Sequence, residues 1–416
     1  MSISDKSILI LGCFDTKGDV FAYLRECILS RGETVMTANT GVFGTTEAFP
    51  VDFEANDIAL EAGHDIADLR RNRDRGRAID VMGRGAARLA GRLFAEGKIK
   101  AVIGAGGGGG TYIALSAMQQ IPFGVPKLCL TTLATKDLSR QIGDKDIMLI
   151  PSVVDVAGTN HILQLLVEQA AAAICAMANV KATAQKTTRS IAISMFGNTT
   201  PCVDKCTELL QKEGYEVLAF HATGVGGKTM ESLIREGVFD AVLDITTTEL
   251  ADDLCGGICN AGPARLTAAA DMGIPQVVVP GCMDMVNFAH LDTVPSQFAQ
   301  RHLYSWAPDV TLMRTDEREN ALLGEQLARK VNRSPAPASI VLPRRGVSQV
   351  DSDGGIFYDP AADNALFEAI RTHASAQVDV IDADLHINDP AFAQLLVSTL
   401  LEVMEKAKQP VSTERR

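Results

Sequence analysis

Aromatic side chains are scarce in this chain: 5% of 416 residues, with a single tryptophan. With abundant Ala, Gly and Val in their place, the cores are filled by small side chains, which suits helices packed closely on a sheet in an α/β protein. Basic charge is also short. Thirty-nine Lys and Arg stand against 51 Asp and Glu, a net charge of −12, so no basic surface is available for a nucleic-acid backbone. Cysteine pattern is missing as well: the nine cysteines are odd in number and show neither CxxC spacing nor a His partner at zinc-ligand spacing. Cys202/Cys206 and Cys255/Cys259 read as small residues on helices, and a reducing cytoplasm is the expected location. The N-terminus has no basic region followed by a small-residue cleavage site, so no signal peptide is expected there. An uninterrupted apolar run is absent too. The longest, Ile162 to Ala178, is broken by Gln164, Glu168 and Gln169 and predicts a packed helix, not a membrane span.

What is present is length, an ample hydrophobic content of 46%, and an internal repeat. A chain of 416 residues exceeds what one core usually serves, so two domains are expected. The first half opens SILILGCFDTKGDVFAYLRECILSRGETV and the second RSIAISMFGNTTPCVDKCTELLQKEGYEVLAF, both reading strand, polar turn, amphipathic helix, glycine, strand. Farther on, KAVIGAGGGGGTYIAL is echoed by FDAVLDITTTELADDL. Strand and helix alternate, so each half is expected to form a parallel sheet with right-handed crossovers and ligand sites at the carboxyl strand ends. The polar stretch NVKATAQKTTR marks the boundary, giving domains 1–182 and 183–416. The final residues, KQPVSTERR, read as a solvated tail.

The strongest local signal is Lys100 to Leu115, where the strand Ala101-Val102-Ile103 runs into Gly104–Gly110, with a helix expected from Thr111. Backbone N–H groups at a helix N-terminus, free of Cβ atoms, form a cradle for phosphate. Glycine also collects in linkers and in tight strand-to-helix packing, but the apolar flanks argue against a linker. No Lys-Ser or Lys-Thr follows the run, so it is not a Walker A loop, and no ribose-binding carboxylate completes a dinucleotide fingerprint. After the first strand, Asp15, Thr16 and Lys17 open a helix. Asp15 or Thr16 can serve as its N-cap, whereas Lys17 opposes the helix dipole unless an anion sits opposite. Arg73-Asp74-Arg75-Gly76-Arg77 is either a solvated helix start or a ligand contact. Thr131 and Thr132 close the strand beginning at Lys127. Asp155, in PSVVDVAGTN, is a candidate Mg²⁺ ligand or else a helix cap.

In the second half, His221 to Thr229 nearly spells a P-loop but has Ala222 where that pattern needs glycine, so it reads as a second anion-friendly loop. Asp244 ends one strand and Asp284 follows another, next to Cys282. The carboxylates are candidate acids or bases with His221 and Lys228, and the thiol is more simply a small buried side chain.

The motifs GCFDTKG, DRGRA, GAGGGGGT, PSVVDVAGTN, MFGNTTPCV, FHATGVGGKTM, LDITTTELAD, MDMVNF and HINDPAFA resemble, in order and spacing, the tomato mosaic virus resistance protein family across essentially the whole chain. The resemblance implies two Rossmann-like domains, ATP bound by the N-terminal one, and self-association. The family's plant member also carries a TIM-barrel domain similar to phosphoenolpyruvate mutases. No such domain is expected from these 416 residues, which makes a separately encoded protein of that kind a candidate partner. The resulting expectation places ATP and Mg²⁺ on Asp15, Thr16, Lys17, Gly106–Gly110, Thr111, Thr131, Thr132 and Asp155. His221, Lys228, Asp244 and Asp284 would act on a small polar or carboxylated substrate in an interdomain cleft of a homodimer or larger homo-oligomer. The alternatives are a nucleotide-binding regulator without chemistry and a nicotinamide-dependent oxidoreductase, the latter disfavoured by the missing ribose carboxylate.

Overall fold

The structure, a computed structural model, describes residues 6–158, 160–180 and 188–408; the expected domain boundary and the tail after Lys408 lie outside them. The chain divides into two compact units, 1–183 and 184–416.

The first unit runs β1 (Ser7–Gly12), α1 (Phe14–Leu29), β2 (Val35–Asn39), α2 (Ala55–Glu61), α3 (Ile66–Asn72), α4 (Arg75–Ala95), β3 (Ile99–Gly106), α5 (Gly108–Met118), β4 (Lys127–Thr131), α6 (Ser139–Ile142), β5 (Met148–Pro151) and α7 (His161–Ala178). Its five strands are parallel in the order β2-β1-β3-β4-β5. The apolar runs of β1 and β3 are buried on both faces because helices cover both. Leu9, Leu11 and Val102 face the core of α2, α4 and α5, while Ile8, Ile10, Ala101 and Ile103 face that of α1 and α7. Strand order reverses between β1 and β3. The crevice at their carboxyl ends is therefore where a doubly wound sheet holds a ligand.

The glycine run is not one open loop. Gly104–Gly106 continue β3 and Gly108–Gly110 form the first turn of α5, leaving Gly107 alone as the N-cap. Close packing explains the first part: a Cβ on Gly104 would lie 2.6 Å from the Cβ of Ala114, and one on Gly106 would lie 3.0 Å from the Cα of Gly110.

The second unit runs β6 (Ser190–Met195), α8 (Thr200–Lys212), β7 (Glu216–His221), α9 (Val225–Arg235), β8 (Ala241–Thr246), α10 (Thr248–Cys255), α11 (Ala268–Met272), β9 (Gln276–Gly281), β10 (Met285–Phe288), β11 (Leu303–Ala307), β12 (Val310–Arg314), α12 (Glu317–Val331), β13 (Ala338–Pro343), α13 (Pro360–His373), β14 (Val378–Ala383) and α14 (Pro390–Lys408). Its parallel sheet is ordered β14-β13-β9-β8-β6-β7, and a separate antiparallel sheet has the order β10-β12-β11. Counted from each unit's first strand, the shared order is 2-1-3-4-5, with β14 added at one edge of the second. Two Rossmann-like parallel-sheet units thus repeat one topology within the chain.

Among the described residues one helix, α7, is long and apolar enough to cross a membrane by length and composition. Its Leu163, Val167, Ala170, Ala171 and Ile174 are buried in the core shared with α1.

Candidate functional site

A cavity of about 500 Å³ opens at the carboxyl ends of β1 and β3 in the first unit. Five segments that are distant in sequence supply its wall: the start of α1, the loop after β2, the stretch from α3 into α4, the Gly107–Gly110 turn, and the loop after β5. Asp15, Thr16 and Lys17 line it, as do Arg73, Arg75 and Asp155. Lys17 has non-helical backbone angles (φ −133°, ψ 24°), and its ammonium donates to the carbonyl of Val156. The side chain therefore ties the β1–α1 turn to the loop after β5 while lying on the cavity wall. Asp15 accepts from the Phe43 amide through Oδ2 at 3.1 Å, and its buried Oδ1 has no hydrogen-bond partner among the described residues. Asp74 caps α4 by accepting from the Arg77 amide at 3.0 Å, which fixes Arg73 and Arg75 on either side of it.

The glycines at the start of α5 differ in what keeps them small. A Cβ on Gly109 would lie 3.0 Å from the Ile79 side chain, whereas one on Gly108 would meet nothing within 4 Å. Gly108 also has no positive φ. Glycine in a helix costs about 1 kcal/mol relative to Ala, and neither packing nor backbone geometry requires it at position 108. The space beyond it is the cavity.

A second cavity, of about 490 Å³, lies at the carboxyl ends of β4 and β5, lined by Thr132, Thr135, Ser152 and neighbours, and it shares Asp155 with the first. The expected nucleotide residues are divided accordingly. Asp15, Thr16, Lys17 and Gly107–Gly110 line the first cavity; Thr131 and Thr132 line the second; Gly106 and Thr111 line neither. Thr111 is wholly buried, with its hydroxyl 2.6 Å from that of Thr131 and 3.2 Å from the Gly106 carbonyl oxygen. Those two hydroxyls tie α5 to β4 and are not available to a phosphate, which corrects their expected role. Asp155 does not cap α7; Asn160 does, accepting from the Leu163 amide at 3.0 Å. Among the described residues no group of three or more His, Cys, Asp or Glu side chains forms a metal cluster.

The four residues expected to carry chemistry in the second unit do not form one site. His221 is exposed with its ring against Phe196, Lys228 is exposed, and Asp244 and Asp284 are buried in separate networks. Asp244 receives both terminal nitrogens of the buried Arg265, at 2.5 and 2.7 Å, and the Ser194 hydroxyl at 2.6 Å. As the counter-ion of Arg265, it is not presented to a substrate. Glu249 takes the Nε of the same guanidinium at 2.5 Å and accepts the amides of Gly224 and Gly227 at 2.7 and 3.1 Å. The expected second anion loop does hold an anion, but it is the protein's own carboxylate, and Lys228 stands outside. Glu231 completes the cluster by accepting the amides of Leu266, Thr267 and Ala268.

Asp284 accepts from Ser348 at 2.7 Å, leaving Oδ1 buried and without a hydrogen-bond partner among the described residues. Burial, then Asp351 nearby, pushes its carboxyl up to about 7 against the pull of Arg314. Asp363 is pushed up to about 8 for the same first reason, although Arg314 donates to it at 2.6 Å. Cys282 is wholly buried, and burial beside Asp284 and Asp351 holds its thiol well above the usual range. It is an inert thiol.

Thr40, Gly41, Val42 and Phe43, in the loop after β2, also line the first cavity and escaped sequence reasoning, as did the apolar Leu69, Met82 and Ile113. Asn39 pins this loop: its Oδ1 accepts the amides of Phe14 and Gly41 at 3.1 and 2.9 Å, and its Nδ2 donates to the Gly44 carbonyl at 2.9 Å. A signal existed. Thr40-Gly41-Val42 after β2 recurs as Thr223-Gly224-Val225 after β7.

Comparison with known proteins gives a consistent family. Residues 6–183 match the Uncharacterised protein family (UPF0261) N-terminal domain, and residues 188–404 match its C-terminal domain. A UPF0261 protein of Clostridium tetani is 42% identical over 404 residues, 97% of this chain and 100% of that one. The ToMV resistance protein Tm-1(GCR237) of Solanum lycopersicum is 35% identical over 430 residues, covering 96% of this chain and 56% of the tomato protein. A solved UDP-GlcNAc 2-epimerase from Neisseria meningitidis, bound to UDP-GlcNAc, is 11% identical over 95% of this chain and 100% of that chain, with a TM-score of 0.23. At that score the likeness carries no argument.

Proposed function

The chain belongs to the uncharacterised protein family UPF0261, and from that premise we propose that its N-terminal unit binds ATP in the cavity at the β1/β3 switch point. The observation that carries the proposal is Gly108. It is a glycine that neither packing nor backbone geometry demands, in the first turn of a helix whose Gly108–Gly110 line the cavity, and the first N–H groups of a helix have no intrahelical partner and favour an anion. Lys17, Arg73 and Arg75 supply positive charge for a triphosphate, and Leu69, Ile79, Met82 and Ile113 supply an apolar wall for a base. The volume of about 500 Å³ suits a ligand of that size.

Mg²⁺ usually takes one or two carboxylates and completes its shell with phosphate oxygens and water. Asp155 and Asp15 fit that demand, the latter by its unpartnered buried oxygen. The ion would neutralise charge on the phosphates. In this proposal the nucleotide site belongs to the N-terminal unit alone, because the matching crevice of the second unit is filled by Glu249 and Arg265. The chain is then the nucleotide-holding part of an ATP-dependent enzyme whose small-molecule site must be sought elsewhere than on Asp244 and Asp284.

Titration calorimetry with ATP and Mg²⁺ tests the proposal. Gly108→Val should lower affinity by about 10- to 100-fold, the cost of forcing extra methyl groups into a filled site, while its far-ultraviolet dichroism and melting stay those of the parent. ATP affinity unchanged in that variant would sink the assignment.

A further inference from the structure

The second cavity of the N-terminal unit has a chemistry of its own. The hydroxyls of Thr132 and Thr135 line it and make no hydrogen bond among the described residues, and the same holds for the Asp155 carboxylate. Among the described residues no Lys, Arg or His lines it. A site for a carboxylate or phosphate would need a cation to offset desolvation of the charge, so an anion is a poor occupant. Free hydroxyls and one acceptor-only carboxylate match an uncharged molecule with several hydroxyl groups, each of which both donates and accepts.

The loop that closes the cavity is held in a costly conformation. Val153 has φ +60°, which a β-branched residue adopts only when its surroundings enforce it. The enforcing bonds are the Val154 amide to the Ser152 carbonyl and the Ser152 hydroxyl to the Val154 carbonyl, both 2.6 Å, with the Ser152 amide donating to the Thr131 carbonyl at 3.0 Å. The Val153 side chain is left 76% exposed, so no burial of its own repays the strain. What the turn achieves is the position of Asp155, two residues on, on the wall of both cavities.

We infer that this second cavity is a binding site for an uncharged polyhydroxylated small molecule, a polyol or sugar, placed beside the nucleotide site through the shared Asp155. Only the adjacency to ATP rests on the nucleotide proposal; the binding itself does not. The test is therefore run on the full chain without nucleotide. Glycerol, erythritol, xylitol and sorbitol are titrated by calorimetry and by saturation-transfer NMR, with xylonate as the charged counterpart of xylitol.

At least one of the four polyols should bind saturably, and Thr135→Val and Thr132→Val should each weaken that binding about tenfold, the value of one lost hydrogen bond. Both side chains are exposed and unpartnered, so neither variant should alter the melting curve. Failure of all four polyols to bind overturns the inference, as does binding that is indifferent to both substitutions. Xylonate binding as tightly as xylitol refutes the uncharged class. ATP affinity measured on the same samples separates the two ideas: loss of ATP binding with polyol binding intact condemns only the nucleotide proposal, and the reverse condemns only this one.

Discussion

Replacing Asp244 by asparagine separates a structural carboxylate from a catalytic one. Asn is nearly isosteric, so the perturbation is electrical: Arg265, wholly buried, loses one full countercharge and one of two terminal hydrogen bonds, because an amide NH₂ faces a guanidinium N–H. Ser194 donates to Asp244 and in turn accepts the Thr246 amide at 2.8 Å, so the end of β8 is disturbed as well. Breaking a buried pair by removing one partner costs about 3–5 kcal/mol. Glu249 and Glu231 still face Arg265, at 2.5 and 3.4 Å, which argues for the lower figure, about 3 kcal/mol.

The assay is built into the chain. Trp306 is its single tryptophan, in β11 of the second unit, so its fluorescence in urea reports on that unit. With a denaturant slope of roughly 3 kcal/mol/M, the midpoint should fall by about 1 M. Asp379→Asn, which breaks an exposed pair with Lys406, is the control and should leave the midpoint in place. A shift for Asp244→Asn below about 0.2 M, within the error of such extrapolations, would mean that Arg265 is satisfied without Asp244, and would restore that carboxylate as a candidate for chemistry.

Three further outcomes are expected. Asp284, Asp363 and Asp252 carry folded pKa values of about 7, 8 and 7, raised first by burial. Raised carboxyls mean that the folded state holds more protons than the unfolded one above about pH 4, so the Trp306 midpoint should fall as pH rises towards 8, and Asp284→Asn should flatten that fall; a midpoint rising over this range would contradict the assignment. Val153→Gly relieves a positive φ at a net gain of about 0.5–1 kcal/mol, once the unfolded-state entropy of glycine is subtracted; slower hydrogen exchange of the β1 amides would show it, and faster exchange would refute the strain. Closed two-fold assemblies are the common case, and α7 leaves Ile162 and Leu165 exposed beside its buried face, so light scattering should return a dimer mass or a larger multiple, which a monomer at micromolar concentration would contradict.

Much of the fold was legible because period and punctuation agreed. Alternation of apolar runs with amphipathic helices, and glycines at matching places in the two halves, predicted two parallel units, and both sheets share the order 2-1-3-4-5. The small antiparallel sheet β10-β12-β11 was not foreseen, since its strands of four and five residues carry no turn signal strong enough to mark hairpins. The site was legible in part. Gly107–Gly110, Lys17 and Asp155 line one cavity because each follows a strand, and strand ends converge at the switch point. Thr111 and Thr131 misled because a hydroxyl beside a phosphate cradle and a hydroxyl that staples a helix to a strand look identical in sequence.

The deepest misreading came from trusting the repeat too far. Both units carry a Thr-Gly-Val turn after the second strand and a helix start after the third, which invites two ligand sites. What separates them is the residue at the start of that helix. In the first unit the second residue of that helix is Gly109, which has no side chain to enter the crevice. In the second unit Glu249 stands there, and its carboxylate takes the amides of Gly224 and Gly227 that would otherwise have met a phosphate. A fixed carboxylate in an amide nest still demands a countercharge in a buried place. Arg265 supplies it, and Asp244 and Glu231 then balance Arg265. One carboxylate at one helix start thus accounts for the whole buried cluster, so a conserved topology carries an open site in one copy and a sealed one in the other.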